Sequence, residues 1–256
     1  MNTDQVLYSV EGSVARVTLN RPEKRNALND AVIAGIKEGL TSAAKDERVR
    51  VVVISGAGKD FCSGADLSAL QKIANASVAE NSEDARSLSE LFLLIRQLPI
   101  PVVAAVTGRA LAGGCGLATA CDVVLAASSA RFGYPEVKIG FVPAMVMAIL
   151  RRNVSEKRAF ELITHGAEIS ADQAKLFGLV NHVFPEANFE EDVNQYVSEF
   201  EKMSRSAIGL TKTLLYQIDG MAFPEALETG VDVNVIARLT DDCRQRVAKF
   251  LQKDRS

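Results

Sequence analysis

The stretch of sequence that decides the fold is residues 110–122, ALAGGCGLATACD, in which adjacent glycines open a run of small residues. Directly before it, residues 102–106 read VVAAV, which is typical of a buried strand. Small residues let backbone N–H groups approach a ligand closely, and the first turn of a helix leaves N–H groups without partners. The pattern therefore predicts a strand, a glycine turn and a helix that offers free N–H groups.

A second glycine-marked turn, residues 61–67 (FCSGADL), follows a strand predicted at residues 49–54 (VRVVVI). If one N–H group from each turn points at the same carbonyl oxygen, the pair forms an oxyanion hole. The same glycines can instead relieve crowding where strands meet helices. Spacing alone favours that simpler interpretation, so the choice stays open at this point.

Strands and helices alternate along most of the chain, which predicts an α/β fold with a parallel sheet. Asn29 is a predicted helix N-cap, Ser170 and Gln173 form a predicted capping box, and Gly178 suits a helix end. The strands are predicted at residues 6–10, 14–19, 49–54, 102–106, 123–126 and 179–184.

The last part of the chain, from residue 188 onward, has an almost wholly helical pattern. Pro224 suits the first turn of one helix, and Asp241 or Asp242 suits the cap of a last helix that ends near Phe250. We therefore expect an α/β core over residues 1–195 and a helical region over residues 196–256.

Composition limits the classes of function. Of 256 residues, 48% are hydrophobic and 24% are charged, and the net charge is −3, which predicts no general attraction for nucleic acid or for a membrane surface. The first residues lack the pattern of a secretory signal, so a cytoplasmic protein is expected. The four cysteines have no CxxC spacing, and His165 and His182 lie far from them in sequence, so no metal site is predicted.

Five segments together resemble the crotonase (enoyl-CoA hydratase/isomerase) superfamily in their order along the chain: residues 26–29, 61–67, 111–122, 132–140 and 249–253. The resemblance implies a crotonase-like spiral of ββα units over residues 1–195. It also implies a C-terminal helical trimerisation region over residues 196–256, and hence a homotrimer or a dimer of trimers. The implied partner is an acyl-CoA thioester, with no cofactor beyond the coenzyme A of the substrate.

The resemblance also implies roles for individual residues. The N–H groups of Ala65 and Gly113 would bind the thioester oxygen, while Ser68 stands where some members have a lysine for a CoA phosphate. Phe250 and Lys253 match positions that reach a neighbouring subunit, although a packed aromatic ring and a solvated lysine explain them equally well. The implied substrate and CoA contacts are Arg25, Ala27, Leu28, Ser63, Ala65, Asp66, Leu67, Ser68, Gly113, Gly114, Pro135, Phe250 and Lys253.

The catalytic acid implied by the resemblance is Glu136, in the segment 132–137 (FGYPEV). Hydratases of the superfamily carry a second glutamate at the position of Gly116, which has no side chain to position water. Residues 143–147 (PAMVM) replace a glycine-rich turn of the hydratases, so that wall of the site should be drier and tighter. A carboxyl group in such surroundings tends towards a raised pKa.

These departures favour an enoyl-CoA Δ3–Δ2 isomerase, in which one carboxylate moves a proton from the α-carbon to the γ-carbon of a 3-enoyl thioester. An enoyl-CoA hydratase that takes its second acid from elsewhere is the first alternative. A CoA-ester-binding protein without turnover is the second, and the presence of Glu136 argues weakly against it.

Overall fold

The computed structural model describes residues 4–66, 71 and 75–253. Of residue 253, only the backbone is described. The strands of this part of the chain are β1 (Val6–Glu11), β2 (Val14–Leu19), β3 (Val51–Gly56), β4 (Val102–Val106), β5 (Arg109–Leu111), β6 (Val123–Ala127), β7 (Arg131–Gly133), β8 (Ile169–Ser170) and β9 (His182–Phe184). The α-helices are α1 (Asp30–Lys45), α2 (Val78–Gln97), α3 (Gly113–Ala120), α4 (Ala144–Asn153), α5 (Glu156–His165), α6 (Ala171–Phe177), α7 (Phe189–Ser198), α8 (Arg205–Gln217), α9 (Phe223–Leu239) and α10 (Asp241–Lys253).

The larger sheet has six strands in the order β1-β2-β3-β4-β6-β9. Only its β1–β2 pair is antiparallel among the described strands, and the other neighbours are parallel. A smaller sheet has the order β5-β7-β8, with β5 and β7 parallel. Along the chain, β4 of the larger sheet is followed by β5 of the smaller one, and β6 is followed by β7, so the two sheets are built from alternating strands. The α/β prediction is confirmed.

Two apolar layers cover the larger sheet, because successive side chains of a strand point to opposite faces. On β3, Val52 and Ile54 belong to the large core with α1 and α2, whereas Val51 and Val53 pack against α7 on the other face. A strand that is buried on both faces reads as continuously apolar, as residues 51–54 (VVVI) do.

Most of the local predictions are confirmed. The Asn29 side chain accepts a hydrogen bond from Val32 N, Ser170 and Gln173 form a capping box, and Gly178 ends α6 in the left-handed region. Two strands differ by more than one residue from their predicted bounds, since β3 is Val51–Gly56 and β9 is the short His182–Phe184.

The last helix begins differently from its prediction. Asp241 and Asp242 lie in its first turn, and the hydroxyl of Thr240 accepts the hydrogen bond from Cys243 N that caps it. The helix also continues past Phe250 as far as residue 253. No helix in the described part of the chain is long and apolar enough to cross a membrane.

The C-terminal helices differ in how they meet the core. α8 is anchored by the buried Lys212, whose Nζ donates to the carbonyl oxygens of Ile95 (2.7 Å) and Ile100 (3.0 Å) and pairs with Asp122 (2.7 Å). α9 has no buried residue. The predicted boundary between residues 195 and 196 falls inside α7, which packs on the sheet through Val197, and the division into two regions stays a prediction.

Candidate active site

A cavity of about 440 Å³ lies where the two glycine-marked turns meet the segment around Glu136. It brings together the predicted residues Leu28, Ser63, Ala65, Gly113, Pro135 and Glu136. Its other described lining residues are Asn29, Ile33, Asp84, Leu88, Ala112, Lys138, Ile139, Phe141, Val142, Pro143, Ala144, Met145 and Val146.

Backbone hydrogen bonds hold the two turns against each other. Cys62 N donates to Arg109 O (3.0 Å), and Leu111 N donates to Cys62 O (2.9 Å). Gly64 has a φ of +94°, and a Cβ there would come within 2.8 Å of Ala112 Cβ. The glycine is therefore needed both for its backbone conformation and for the close approach of the two turns.

Two residues with candidate amide donors, Ala65 and Gly113, line the cavity. Gly113 is the first residue of α3, so its N–H has no partner within the helix. Ala65 pairs with Leu28 in a parallel bridge in which Gly64 O accepts from Leu28 N and Asp66 N donates to Leu28 O. Because N–H groups alternate along an extended segment, the N–H of Ala65 points to the side opposite Leu28. Neither amide is therefore used in the bridge to Leu28 or within α3, and their joint action on a ligand stays a prediction.

Glu136 supplies the acid of the cavity. It lies in a 3-10 helix, Pro135–Ile139, which the fixed φ of Pro135 starts. Its Oε2 is buried and has no hydrogen-bond partner among the described residues. Burial raises the pKa of the Glu136 carboxyl, and its own backbone N–H opposes this only in part. A carboxyl group with a raised pKa can take up and return a proton near neutral pH.

The two cysteines beside the turns are not nucleophiles. Burial raises the pKa of Cys62 to about 12 and that of Cys115 to about 12, so both stay neutral thiols. Among the described residues, no group of three His, Cys, Asp or Glu side chains could hold a metal ion. The acid-base candidates of the cavity are therefore the carboxyl groups among its lining residues, with Glu136 beside the two glycine-marked turns.

Some predicted residues support the turns rather than lining the cavity. Arg25 has a φ of +50°, and its carbonyl oxygen accepts from Ser63 N at 3.0 Å. The carbonyl oxygen of Ala27 accepts from Arg21 Nη1 at 2.8 Å, and the Asp66 carboxylate pairs with Arg21 Nη2 at 2.7 Å. Arg21 therefore ties the segment around Ala27 to the turn at Asp66.

Gly114 is also needed for packing. It is buried, and a Cβ at this position would overlap the backbone oxygen of Cys62. Gly114 thus allows α3 to start directly against the first turn, which brings Gly113 to the cavity.

Three predicted contacts lie at or beyond the limits of the described residues. Leu67 and Ser68 lie outside them. Lys253 is the last residue of α10, and only its backbone is described. Phe250 lies on the same helix with 65% of its surface exposed, so the described chain does not cover this ring.

The apolar wall of the cavity is shifted along the chain from the predicted segment 143–147. Residues 141–146 line it, and Met147, which is 37% exposed, is not among the lining residues. Ala144, Met145 and Val146 make this wall apolar, as expected for a dry site.

Among the residues that sequence reasoning missed are three polar ones. Asp84 on α2 and Lys138 line the cavity and were not predicted. Asn26 is fully buried with a φ of +54°; its Oδ1 accepts from Arg21 N (2.9 Å) and its Nδ2 donates to Asp60 O (2.7 Å). Asn26 could have been found from its residue type, because asparagine adopts the left-handed backbone conformation more readily than most other residues.

The chain resembles characterised proteins over almost its whole length. The family model "Enoyl-CoA hydratase/isomerase" matches residues 9–256. The chain belongs to the enoyl-CoA hydratase/isomerase family. A putative enoyl-CoA hydratase of Thermus thermophilus is 40% identical over 243 residues, which cover 95% of this chain and 96% of the relative. The 2,3-dehydroadipyl-CoA hydratase of Escherichia coli is 35% identical, with 97% and 96% covered.

Solved structures of the enoyl-CoA hydratase/isomerase family confirm the crotonase-like fold. The enoyl-CoA hydratase of Mycobacterium smegmatis has a TM-score of 0.92 at 33% identity, covering 97% of this chain and 96% of that one. The human enoyl-CoA hydratase domain-containing protein 3 has a TM-score of 0.91 at 28% identity, covering 97% and 98%. Both the α/β core and the C-terminal helices are therefore those of this enzyme family.

Proposed function

We propose that this enoyl-CoA hydratase/isomerase family enzyme is an isomerase, which converts 3-enoyl-CoA thioesters into 2-enoyl-CoA thioesters. The observation that carries the proposal is the buried Oε2 of Glu136, which lacks a hydrogen-bond partner among the described residues and belongs to a residue lining the same cavity as Ala65 and Gly113. A lone base with a raised pKa next to two amide donors suits proton movement at the α-carbon of a thioester.

The proposed reaction has two proton transfers. The Glu136 carboxylate takes a proton from the α-carbon, and the electron pair moves into the thioester as an enolate whose oxygen accepts from the Ala65 and Gly113 amides. The protonated Glu136 then returns a proton to the γ-carbon. The enolate collapses, and the double bond now lies between the α- and β-carbons. No water is consumed, and the carboxylate is regenerated.

We further propose that the CoA part of the substrate lies along Ser63 and Leu28, which line the cavity. Arg25 is exposed next to this segment, and Lys138 is an exposed cation on the cavity lining, so both suit a CoA phosphate. Ser68, Phe250 and Lys253 complete the proposed contacts, the last two from a neighbouring subunit. The protein needs no cofactor in this scheme.

Hydration is the second candidate, and two observations favour it. The relatives at 40% and 35% identity are named hydratases. Asp84 is the other carboxylate among the described residues that line the cavity, so it is the candidate for a second acid. Hydration needs one group to take a proton from water and another to protonate the α-carbon.

Two isosteric variants separate these functions. For an isomerase, Glu136→Gln should lower kcat with a 3-enoyl thioester by roughly 10²–10⁴, while thioester binding is retained, because the amide cannot carry the proton. Asp84→Asn should have a far smaller effect. Turnover of 2-enoyl and 3-enoyl thioesters by both variants is the measurement. Undiminished isomerisation by Glu136→Gln would rule out the proposed base, and equal loss of water addition in both variants would favour a hydratase.

We also propose that the chain forms a homotrimer or a dimer of trimers through α9. Phe223, Leu227, Val231, Val235 and Leu239 are exposed and recur every four residues, so they form one apolar stripe. Light scattering should give a multiple of the 27.5 kDa chain mass. Val231→Glu should shift the mass towards the monomer, while Asp232→Asn next to it should not. A monomeric parent protein would contradict this assembly.

A further inference from the structure

Gly116 on α3 is a glycine that packing requires. It is buried in the interior of the helix, where glycine is less favourable than alanine by about 1 kcal/mol. A Cβ at this position would overlap Cγ1 of Val146 and would lie 3.2 Å from Cζ of Phe92. The space that a side chain at residue 116 would need is therefore already occupied.

Val146 stands between Gly116 and the cavity. It lies in the first turn of α4, is 4% exposed and lines the cavity. A β-branched side chain on a helix has one strongly preferred χ1 rotamer, so Val146 cannot readily swing aside. A group added at residue 116 can reach the cavity only if Val146 becomes smaller or α4 moves.

We infer that Val146 is a specificity-determining residue, which closes the α3 side of the cavity to a second acid and to a positioned water. The inference rests on the proposed function, because it explains why one carboxylate acts alone there. An ordered water needs two to four polar partners, and the Val146 and Met145 side chains offer none at this wall. The substrate class that follows is enoyl thioesters that react by proton shift, without water addition.

The first test measures packing and is independent of turnover. Gly116→Ala should lower the melting temperature of the otherwise unchanged protein by roughly 3–10 °C, because the new methyl group overlaps Val146. In a Val146→Ala background the same change should lower it much less or raise it. Four proteins therefore form a double-mutant cycle: the parent, each single variant and the double variant.

A matched control uses another helical glycine. Gly39 on α1 faces Val17, whose Cγ2 would lie 3.0 Å from an added Cβ. Gly39→Ala should therefore lower the melting temperature by the same amount with valine or alanine at residue 146. This control separates a specific contact with Val146 from a general response to a weakened core.

The second test measures chemistry. Gly116→Glu alone should add water to a 2-enoyl thioester no faster than the parent does, since Val146 leaves no room for the carboxylate. Gly116→Glu combined with Val146→Ala should raise water addition roughly tenfold or more over the parent, a modest share of the 10²–10⁴ that a positioned acid supplies. Mass spectrometry of the thioester reports each water gained.

Two results would overturn the inference. One is an additive cycle, in which Gly116→Ala has the same effect in both backgrounds. The other is water addition by Gly116→Glu alone that equals the double variant. Neither result bears on Glu136, whose own variant tests the proposed isomerisation. Failure of the inference and failure of the proposed function are therefore distinguishable.

Discussion

The two sides of the cavity differ in what they offer a substrate. One side presents the amides of Ala65 and Gly113 together with the Glu136 carboxyl, while the other, residues 141–146, presents mainly apolar side chains. In the proposed isomerisation, the polar side stabilises the enolate and moves the proton. The side chains of the apolar side offer no polar group to hold an attacking water. The comparison teaches that, in the proposed reaction, the apolar side excludes water addition while the polar side allows proton transfer.

After that of Glu136→Gln, the largest effect is expected when one amide of the polar side is removed. Gly113→Pro removes the N–H, and a proline suits the first position of α3. It should lower kcat by roughly 10²–10³, the usual effect of losing one oxyanion donor. Steady-state kinetics with a 3-enoyl thioester is the measurement.

Gly113→Ala is the matched control for this change. It keeps the N–H, and its Cβ would lie 3.4 Å from Leu28 Cδ1, an ordinary contact. Melting temperatures of both variants show whether the backbone still folds. A Gly113→Pro protein that folds normally and turns over like Gly113→Ala would show that this amide does not act on the substrate.

The smallest expected effect is a pH-dependent change in stability at Glu136, on the polar side of the cavity. Burial raises the folded-state pKa of Glu136 above its ordinary value of 4.5, so the folded protein binds more protons than the unfolded chain between those two pKa values. The contribution of Glu136 to stability therefore falls as pH rises through that window.

The melting temperature of Glu136→Gln, compared with that of the parent, checks this sign. Because glutamine never ionises, the variant should gain stability relative to the parent at neutral pH, by a few degrees at most. The gain should shrink as pH falls through that window towards 4.5 and should level off below it. A difference that is constant with pH would mean that Glu136 is not held in an environment that disfavours its charge.

Local signals were readable from the sequence because they act within a few residues. The Asn29 cap, the box of Ser170 and Gln173, and the end of α6 at Gly178 each depend on hydrogen bonds across one turn. The last helix escaped this reasoning because Thr240 and the two aspartates after it are all good caps, and only coordinates show which side chain accepts from the backbone.

Tertiary contacts were not readable in the same way. The sequence suggested a drier wall after Pro143, but not that Val146 fills the space beside Gly116, because α3 and α4 are brought together by the fold. The position of Asp84 at the cavity likewise depends on how the fold places α2 beside it. Family resemblance supplied the meaning of Glu136 and Gly116, which spacing alone left open.

The central claim is that one carboxylate moves a proton in a cavity that holds no attacking water. The most direct measurement is incubation of a 3-enoyl thioester in H₂¹⁸O, followed by mass spectrometry of the thioester and location of its double bond. The account predicts a 2-enoyl product of unchanged mass without ¹⁸O. A product that has gained one labelled water as its main fate, with no migrated alkene, would contradict it.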